Sequence, residues 1–158
     1  MIKAGDRIPD GTFMRMTDKG PAPIGTGEIF GGKKVVFFAV PGAFTPTCSK
    51  QHLPGYVSNA ESIKAKGIDT IACMAVNDAF VMDAWAKAQN VGDKVLMLAD
   101  GNAEFARKLG LELDATRSGM GTRSRRFSMV VEDGVVKELN VENPGEFKVS
   151  SAESTCRL

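Results

Sequence analysis

Cys48 is the residue of this chain most clearly set up for chemistry, in the segment Pro41–Lys50, PGAFTPTCSK. The thiolate, not the thiol, is a nucleophile, so the neighbours matter as much as the sulfur. Pro41-Gly42 ends the apolar run Val35–Val40, VVFFAV, and Thr45-Pro46 supplies an N-cap residue followed by a proline at the first helical position. On that register Cys48 falls at N3, inside the first turn. Unpaired backbone N–H groups and the positive end of the helix dipole favour a thiolate there. Thr45, three residues earlier, is one turn away and close enough to act on the same centre. His52, the only histidine, follows Cys48 by four residues, so a Cys–His hydrolase pair has to be weighed. At i+4 its ring sits a turn further along the helix, and it is expected to pack or bond locally.

The elements that must hold this segment are legible from apolar periodicity. Val35–Val40 reads as a strand buried on both faces. After Cys48, Leu53, Tyr56, Val57, Ala60 and Ile63 mark one buried helix face running to about Lys66, with Gly67 as the stop and a kink expected at Pro54. Asp69–Val76 is a second strand. Asn77 or Asp78 caps a helix over Ala79–Gln89, Lys94–Leu98 is a third strand, and Asn102–Leu109 is a short helix. Thr12–Met16 is an edge strand and Lys19–Gly27 a loop. Leu111–Arg125 reads as a loop, with a short strand at 111–113. Phe127–Glu132 and Val135–Val141 flank Asp133-Gly134, a strong hairpin signal. Ser150-Ser151-Ala152-Glu153 starts a last helix with a capping box. Phe44, Phe80 and Trp85 are expected in the core, although apolar side chains near the active loop could also form a dimer face. The order predicts an α/β, thioredoxin-like fold: a central mixed β-sheet flanked by helices and closed by a C-terminal antiparallel hairpin.

Composition narrows the classes. At 158 residues the chain is read as one domain, 1–158. Lys+Arg number 20 against 19 Asp+Glu, which argues against nucleic acid as a partner. The N-terminus lacks a signal-peptide layout and no apolar run reaches membrane-span length, so no membrane association and a cytoplasmic location are expected. The cysteines, Cys48, Cys73 and Cys156, are odd in number and lack metal-type spacing. Neither a disulfide scaffold nor a zinc site is expected.

Pro41–Lys50 resembles the active-site signature of type 5 (atypical) peroxiredoxins, thioredoxin-fold thiol peroxidases. The resemblance continues through His52-Leu53-Pro54-Gly55-Tyr56, Val76–Val81, and Arg126–Val131 with Asp133-Gly134. By that resemblance Cys48 is the peroxidatic cysteine, Thr45 the hydroxyl that bonds thiolate and peroxide, and Arg126 the guanidinium over the site. Pro41 is implied to shield the thiolate, with Phe44 and Thr47 beside it around the substrate. The implied reaction reduces hydrogen peroxide or organic hydroperoxides through a Cys48 sulfenic acid, in antioxidant defence, without metal, haem or flavin cofactors. Implied partners are glutathione with glutaredoxin, or thioredoxin, and a second copy in a homodimer. A resolving cysteine, where such enzymes have one, would fall near Cys73 or around Ser150. The chain has Ser150-Ser151 at the latter, with Cys156 two turns on. Cys73 is read chiefly as a packed thiol, and one-cysteine behaviour with an external thiol is favoured.

Ionisation alone cannot supply a large rate. Lowering a thiol from ~8.5 to ~6 multiplies its thiolate about thirteen-fold at pH ~7.4. The accompanying loss of nucleophilicity, with a slope of ~0.4–0.5, takes back on the order of ten-fold. Acceleration must come from donors aimed at the leaving oxygen, a role a guanidinium fits. Arg117, Arg123, Arg125 and Arg126 crowd one region, and the choice of Arg126 rests on its place before Phe127-Ser128-Met129. Two rivals stay open. A thiol–disulfide oxidoreductase on the same fold would need a CxxC, and Thr45 stands where the first cysteine would be. A redox sensor or holdase would use Cys48 oxidation as a switch rather than for turnover.

Overall fold

The computed structural model describes residues 1–156. Its strands are β1 (Thr12–Thr17), β2 (Gly20–Gly25), β3 (Lys34–Ala39), β4 (Thr70–Ala75), β5 (Leu96–Ala99), β6 (Glu112–Asp114), β7 (Thr122–Ser124), β8 (Phe127–Glu132) and β9 (Val135–Val141). Seven of them form one sheet of order β2-β1-β5-β4-β3-β8-β9. β3, β4 and β5 run parallel, and antiparallel pairs extend the sheet on both sides. This is the mixed thioredoxin-like α/β sheet that the sequence predicts, with the expected hairpin at its end. Asp133 and Gly134 take φ of 47° and 78°, the left-handed pair that a two-residue hairpin turn requires.

The apolar run of β3 is central because alternate residues feed two cores. Val35, Phe37 and Ala39 pack on one face and Val36, Phe38 and Val40 on the other. On the first face Phe37 meets the rings of Phe13, Phe30, Phe105 and Phe127, with centroids 5.5–6.3 Å apart. This face is covered by α1 (Thr26–Phe30) and α5 (Glu104–Leu109). The second face is covered by α2 (Leu53–Ser58), α3 (Ala60–Ala65), α4 (Ala79–Ala88) and α6 (Ala152–Cys156).

Several local expectations are corrected. β1 is not an edge, because Gly20–Gly25, expected as a loop, pairs with it as β2. Pro21 and Pro23 lie two apart and so share one direction, which puts both missing donors on the outer rim where proline is tolerated. Leu53–Ser58, where a kink is expected, forms an unbroken α-helix. Instead Cys48–His52 forms a π turn, closed by the Leu53 amide on the Cys48 carbonyl. Pro54 cannot donate and its ring crowds the carbonyl four residues back, and the wider turn takes up that mismatch. A second break comes at Asn59, whose side-chain amide competes for the Gly55 carbonyl at 2.8 Å. Phe44 and Phe80 are not core residues: they are 56% and 65% exposed, whereas Trp85 is fully buried. Ser151, not Ser150, caps α6, accepting from the Ser154 amide rather than forming a Ser–Glu box. β6 overlaps the short strand expected at 111–113, but its partner β7, with which it forms a small separate sheet, lies in the region expected as loop.

Candidate active site

Sheet register brings the distant halves of the site together. β3 and β8 pair antiparallel with Ala39 opposite Phe127. Arg126, one residue before β8, therefore arrives beside the end of β3 from which Pro41–Lys50 departs. Across 78 residues of sequence its Nη2 donates to Cys48 Sγ at 3.1 Å. Cys48 is completely buried in the first turn after Pro46, as its spacing predicts. Of the crowded arginines only this one reaches the sulfur. Arg123 donates to the carbonyls of Met120 and Val76 and braces the turn at Gly42, where an added Cβ would lie 3.0 Å from its Nη1. Arg125 donates to the Glu142 carbonyl, and Arg117 is exposed.

Thr45 precedes the helix and its carbonyl accepts from the Ser49 amide, as an N-cap carbonyl should. Its hydroxyl does not cap. It donates to the Gly42 carbonyl at 2.7 Å, so its single proton is committed and only its lone pairs are open to a ligand. The loop is tied further by the Ala43 amide on Asn77 Oδ1, which leaves Asp78 to cap α4 through the Val81 amide.

His52 does not pair with Cys48. Arg126 Nη1 meets His52 Nδ1 at 2.8 Å, and His52 Nε2 meets the Ser150 carbonyl at 2.9 Å. A guanidinium only donates and a carbonyl only accepts, so the ring is neutral with its proton on Nε2. Burial, then the Arg126 charge, lowers His52 from 6.5 to about 3, so it stays neutral at any physiological pH. Tyr56 also donates to the Ser150 carbonyl, at 2.8 Å, and stacks on Phe38 with centroids 4.0 Å apart. Its single proton is used there, so at Thr155 its oxygen accepts, and Thr155 in turn meets Ser128. Burial pushes the Tyr56 phenol well up. Phe147 packs against both the His52 ring and the Arg126 guanidinium.

A cavity of about 120 Å³ opens beside Arg126, lined by Pro41, Thr47, Leu113, Pro144 and Glu146 among others. Pro41 and Thr47, expected around the substrate, both line it. Phe44 does not line it; held at φ 64°, it projects into solvent. None of the three thiols lines this cavity. Cys73 is fully buried within β4, and burial, then the nearby Cys48, pushes its thiol well up while Arg126 opposes. Cys156, half-buried on α6, is raised to about 11 chiefly by burial, with Lys66 opposing. All three cysteines are unbridged.

Sequence reasoning missed the Ser150 carbonyl, the Glu142 carboxylate that holds its loop, and the role of His52 toward Arg126. Only His52 carried a signal, as a lone histidine four residues from a reactive cysteine. A glutamate before Asn-Pro-Gly reads as an ordinary solvated turn residue.

The Redoxin family profile matches residues 3–155. Peroxiredoxin-2E, chloroplastic, of Arabidopsis thaliana is 51% identical over 157 residues, covering 96% of this chain and 67% of that protein. Peroxiredoxin-2D of the same plant is 49% identical over 153 residues, covering 96% and 94%. Reduced Prx3 from Vibrio vulnificus, solved in complex with H2O2, superposes with a TM-score of 0.94 at 53% identity, covering 98% and 96%. The family match spans almost the whole chain, and these relatives share about half of its residues. The chain belongs to the peroxiredoxin family of thiol-dependent, peroxide-reducing enzymes.

Proposed function

We propose that this chain is a type 5 peroxiredoxin that reduces hydrogen peroxide and organic hydroperoxides at Cys48. The thiolate attacks one peroxide oxygen; an S–O bond forms as the O–O bond breaks, and the bonding pair leaves with the second oxygen. That oxygen takes a proton and departs as water or alcohol. The sulfur, oxidised by two electrons, becomes a sulfenic acid. Arg126 stabilises the charge growing on the leaving oxygen, and Thr45, its proton committed to Gly42, accepts the hydrogen bond of the incoming peroxide. The observation that carries this reading is the guanidinium held 3.1 Å from a buried sulfur by a neutral imidazole.

An external thiol then condenses with the sulfenic acid, releasing water and leaving a mixed disulfide, and a second thiol restores Cys48. Glutathione with glutaredoxin, or thioredoxin, fills that role in the proposal. Support for a one-cysteine cycle comes from the burial and raised thiols of Cys73 and Cys156. The exposed Phe44 and Phe80 favour a homodimer whose contact covers them, and we place the enzyme in the cytoplasm.

The test is peroxide consumption with a thiol reductant present. Many turnovers are expected from the wild type and none from Cys48→Ser. Retained turnover in the variant would sink the assignment, and one equivalent consumed by the wild type would make the protein a sensor.

A further inference from the structure

One residue outside the reacting centre is tied to Arg126 twice, directly at its backbone and through Ser150 and His52 at its guanidinium. β8 and β9 pair with Phe127 opposite Val141, so Glu142 follows β9 directly across from Arg126. The Glu142 amide donates to the Arg126 carbonyl at 2.9 Å, fixing the backbone from which the guanidinium projects. Its carboxylate is buried, only 3% exposed, and turns the other way. Oε2 accepts from the amides of Lys148, Val149 and Ser150 and from the Ser150 hydroxyl at 2.7–2.9 Å, and Oε1 from Lys148.

Those bonds close the segment 142–150 into a loop and hold Ser150, itself fully buried, in one position. The Ser150 carbonyl uses its lone pairs on His52 Nε2–H and Tyr56 O–H. His52 Nδ1 then accepts from Arg126 Nη1. The circuit runs Arg126 carbonyl, Glu142 amide, Glu142 carboxylate, Ser150, His52, Arg126 guanidinium. Within it the position of the Ser150 carbonyl is set by the bonds that the Ser150 amide and hydroxyl donate to Glu142. Phe147, in the same loop, covers the His52 ring and the guanidinium.

We infer that Glu142 is a positioning residue for peroxide reduction: by fixing the Ser150 carbonyl it sets the His52 ring and so aims Arg126 at Cys48. The inference rests on the proposed roles of Cys48 and Arg126. Without the carboxylate, three amides and a hydroxyl in the loop lose their acceptor, and His52 loses a fixed partner for Nε2–H. The imidazole can then tilt, and the guanidinium with it.

The experiment is stopped-flow oxidation by hydrogen peroxide, followed through Trp85, in Glu142 variants with and without His52→Ala or Arg126→Ala. Glu142→Ala should slow sulfenic acid formation roughly ten- to a hundred-fold, within the ~10²-fold that about 1 Å of misplacement costs. Glu142→Gln, which keeps an oxygen acceptor and the side-chain length, should recover most of that loss. If Glu142→Ala does not fold, Glu142→Asp, its carboxylate drawn back by one methylene, carries the same prediction. In the His52→Ala and Arg126→Ala backgrounds the Glu142 substitutions should add almost nothing, because the link they act through is gone. A merely structural role would predict additive losses there, and that result, or an undiminished rate in Glu142→Ala, overturns the inference. If Arg126→Ala alone is undiminished, the reading of the site itself has failed, which is a separate outcome.

Discussion

Acid should weaken this protein through His52, its only histidine, beginning above the pH range in which ordinary carboxylates titrate. Burial first, then the Arg126 guanidinium, takes the ring from 6.5 to about 3. An unfolded chain protonates His52 below 6.5, whereas the folded chain keeps it neutral down to about 3. The unfolded state therefore binds the extra proton across that window. The contribution is complete above pH 6.5 and is lost progressively as the pH falls toward about 3. At ~1.36 kcal/mol per pKa unit the whole contribution is about 5 kcal/mol, of which about 2 kcal/mol is gone by pH ~5. The Glu142 carboxylate does not interfere at that pH. Burial raises it, the Ser150 hydroxyl and the loop amides outweigh that, and the net lowering means its contribution fades only below the ordinary 4.5. Urea unfolding followed by Trp85 fluorescence, at pH values from about 8 to 5, measures the loss. His52→Asn, without a titrating ring, should be less stable at neutral pH and much flatter toward acid. Equal pH slopes in the two proteins would refute the reasoning.

Other expectations concern the residues around the sulfur. Thr45→Val should slow peroxide attack by about ten- to a hundred-fold, since a general catalytic hydrogen bond of this kind contributes on that scale. Thr45→Ser should restore much of the rate, and an unaffected Thr45→Val would remove the hydroxyl from the mechanism. Cys73→Ser and Cys156→Ser should leave turnover with an external thiol close to wild type in a coupled peroxidase assay. A collapse of turnover in either would identify a resolving cysteine. Phe80→Glu should shift sedimentation from dimer to monomer if the exposed aromatic face is the homodimer contact; an unchanged dimer would place that contact elsewhere.

The sequence made the parallel core and the nucleophile legible because both depend on short-range signals. Val35–Val40 is apolar at every position, and Thr45-Pro46 marks a helix start whichever fold surrounds it. Phe127–Val141 announced its hairpin through Asp133-Gly134. The rest depends on register between remote strands. Nothing local to Glu142 shows that β9 delivers it opposite Arg126, or that a turn glutamate is buried under amides of its own loop. Gly20–Gly25 was hidden for the opposite reason: its prolines are breakers in a central strand but acceptable on a rim. Phe44 and Phe80 read as core by type, yet one sits in a left-handed turn and the other on the solvent side of α4. The π turn at Cys48–His52 follows from Pro54, whose disruption of the helix falls a turn earlier than the Leu53–Tyr56 kink that the sequence predicts.

Arg126 is held to act on the leaving oxygen of the transition state, beyond any help it gives in ionising the thiol. The most direct measurement compares two rate constants of Cys48 in wild type and in Arg126→Ala, at a pH high enough to ionise the thiol in both. One reaction is with hydrogen peroxide, which expels an oxygen anion; the other is with chloroacetamide, whose leaving chloride needs no such donor. The peroxide rate should fall by ~10²–10³-fold, the ~3–4 kcal/mol of one well-placed donor, while alkylation stays nearly constant. Matched losses in the two reactions, or a larger peroxide loss in Arg123→Ala than in Arg126→Ala, would contradict it.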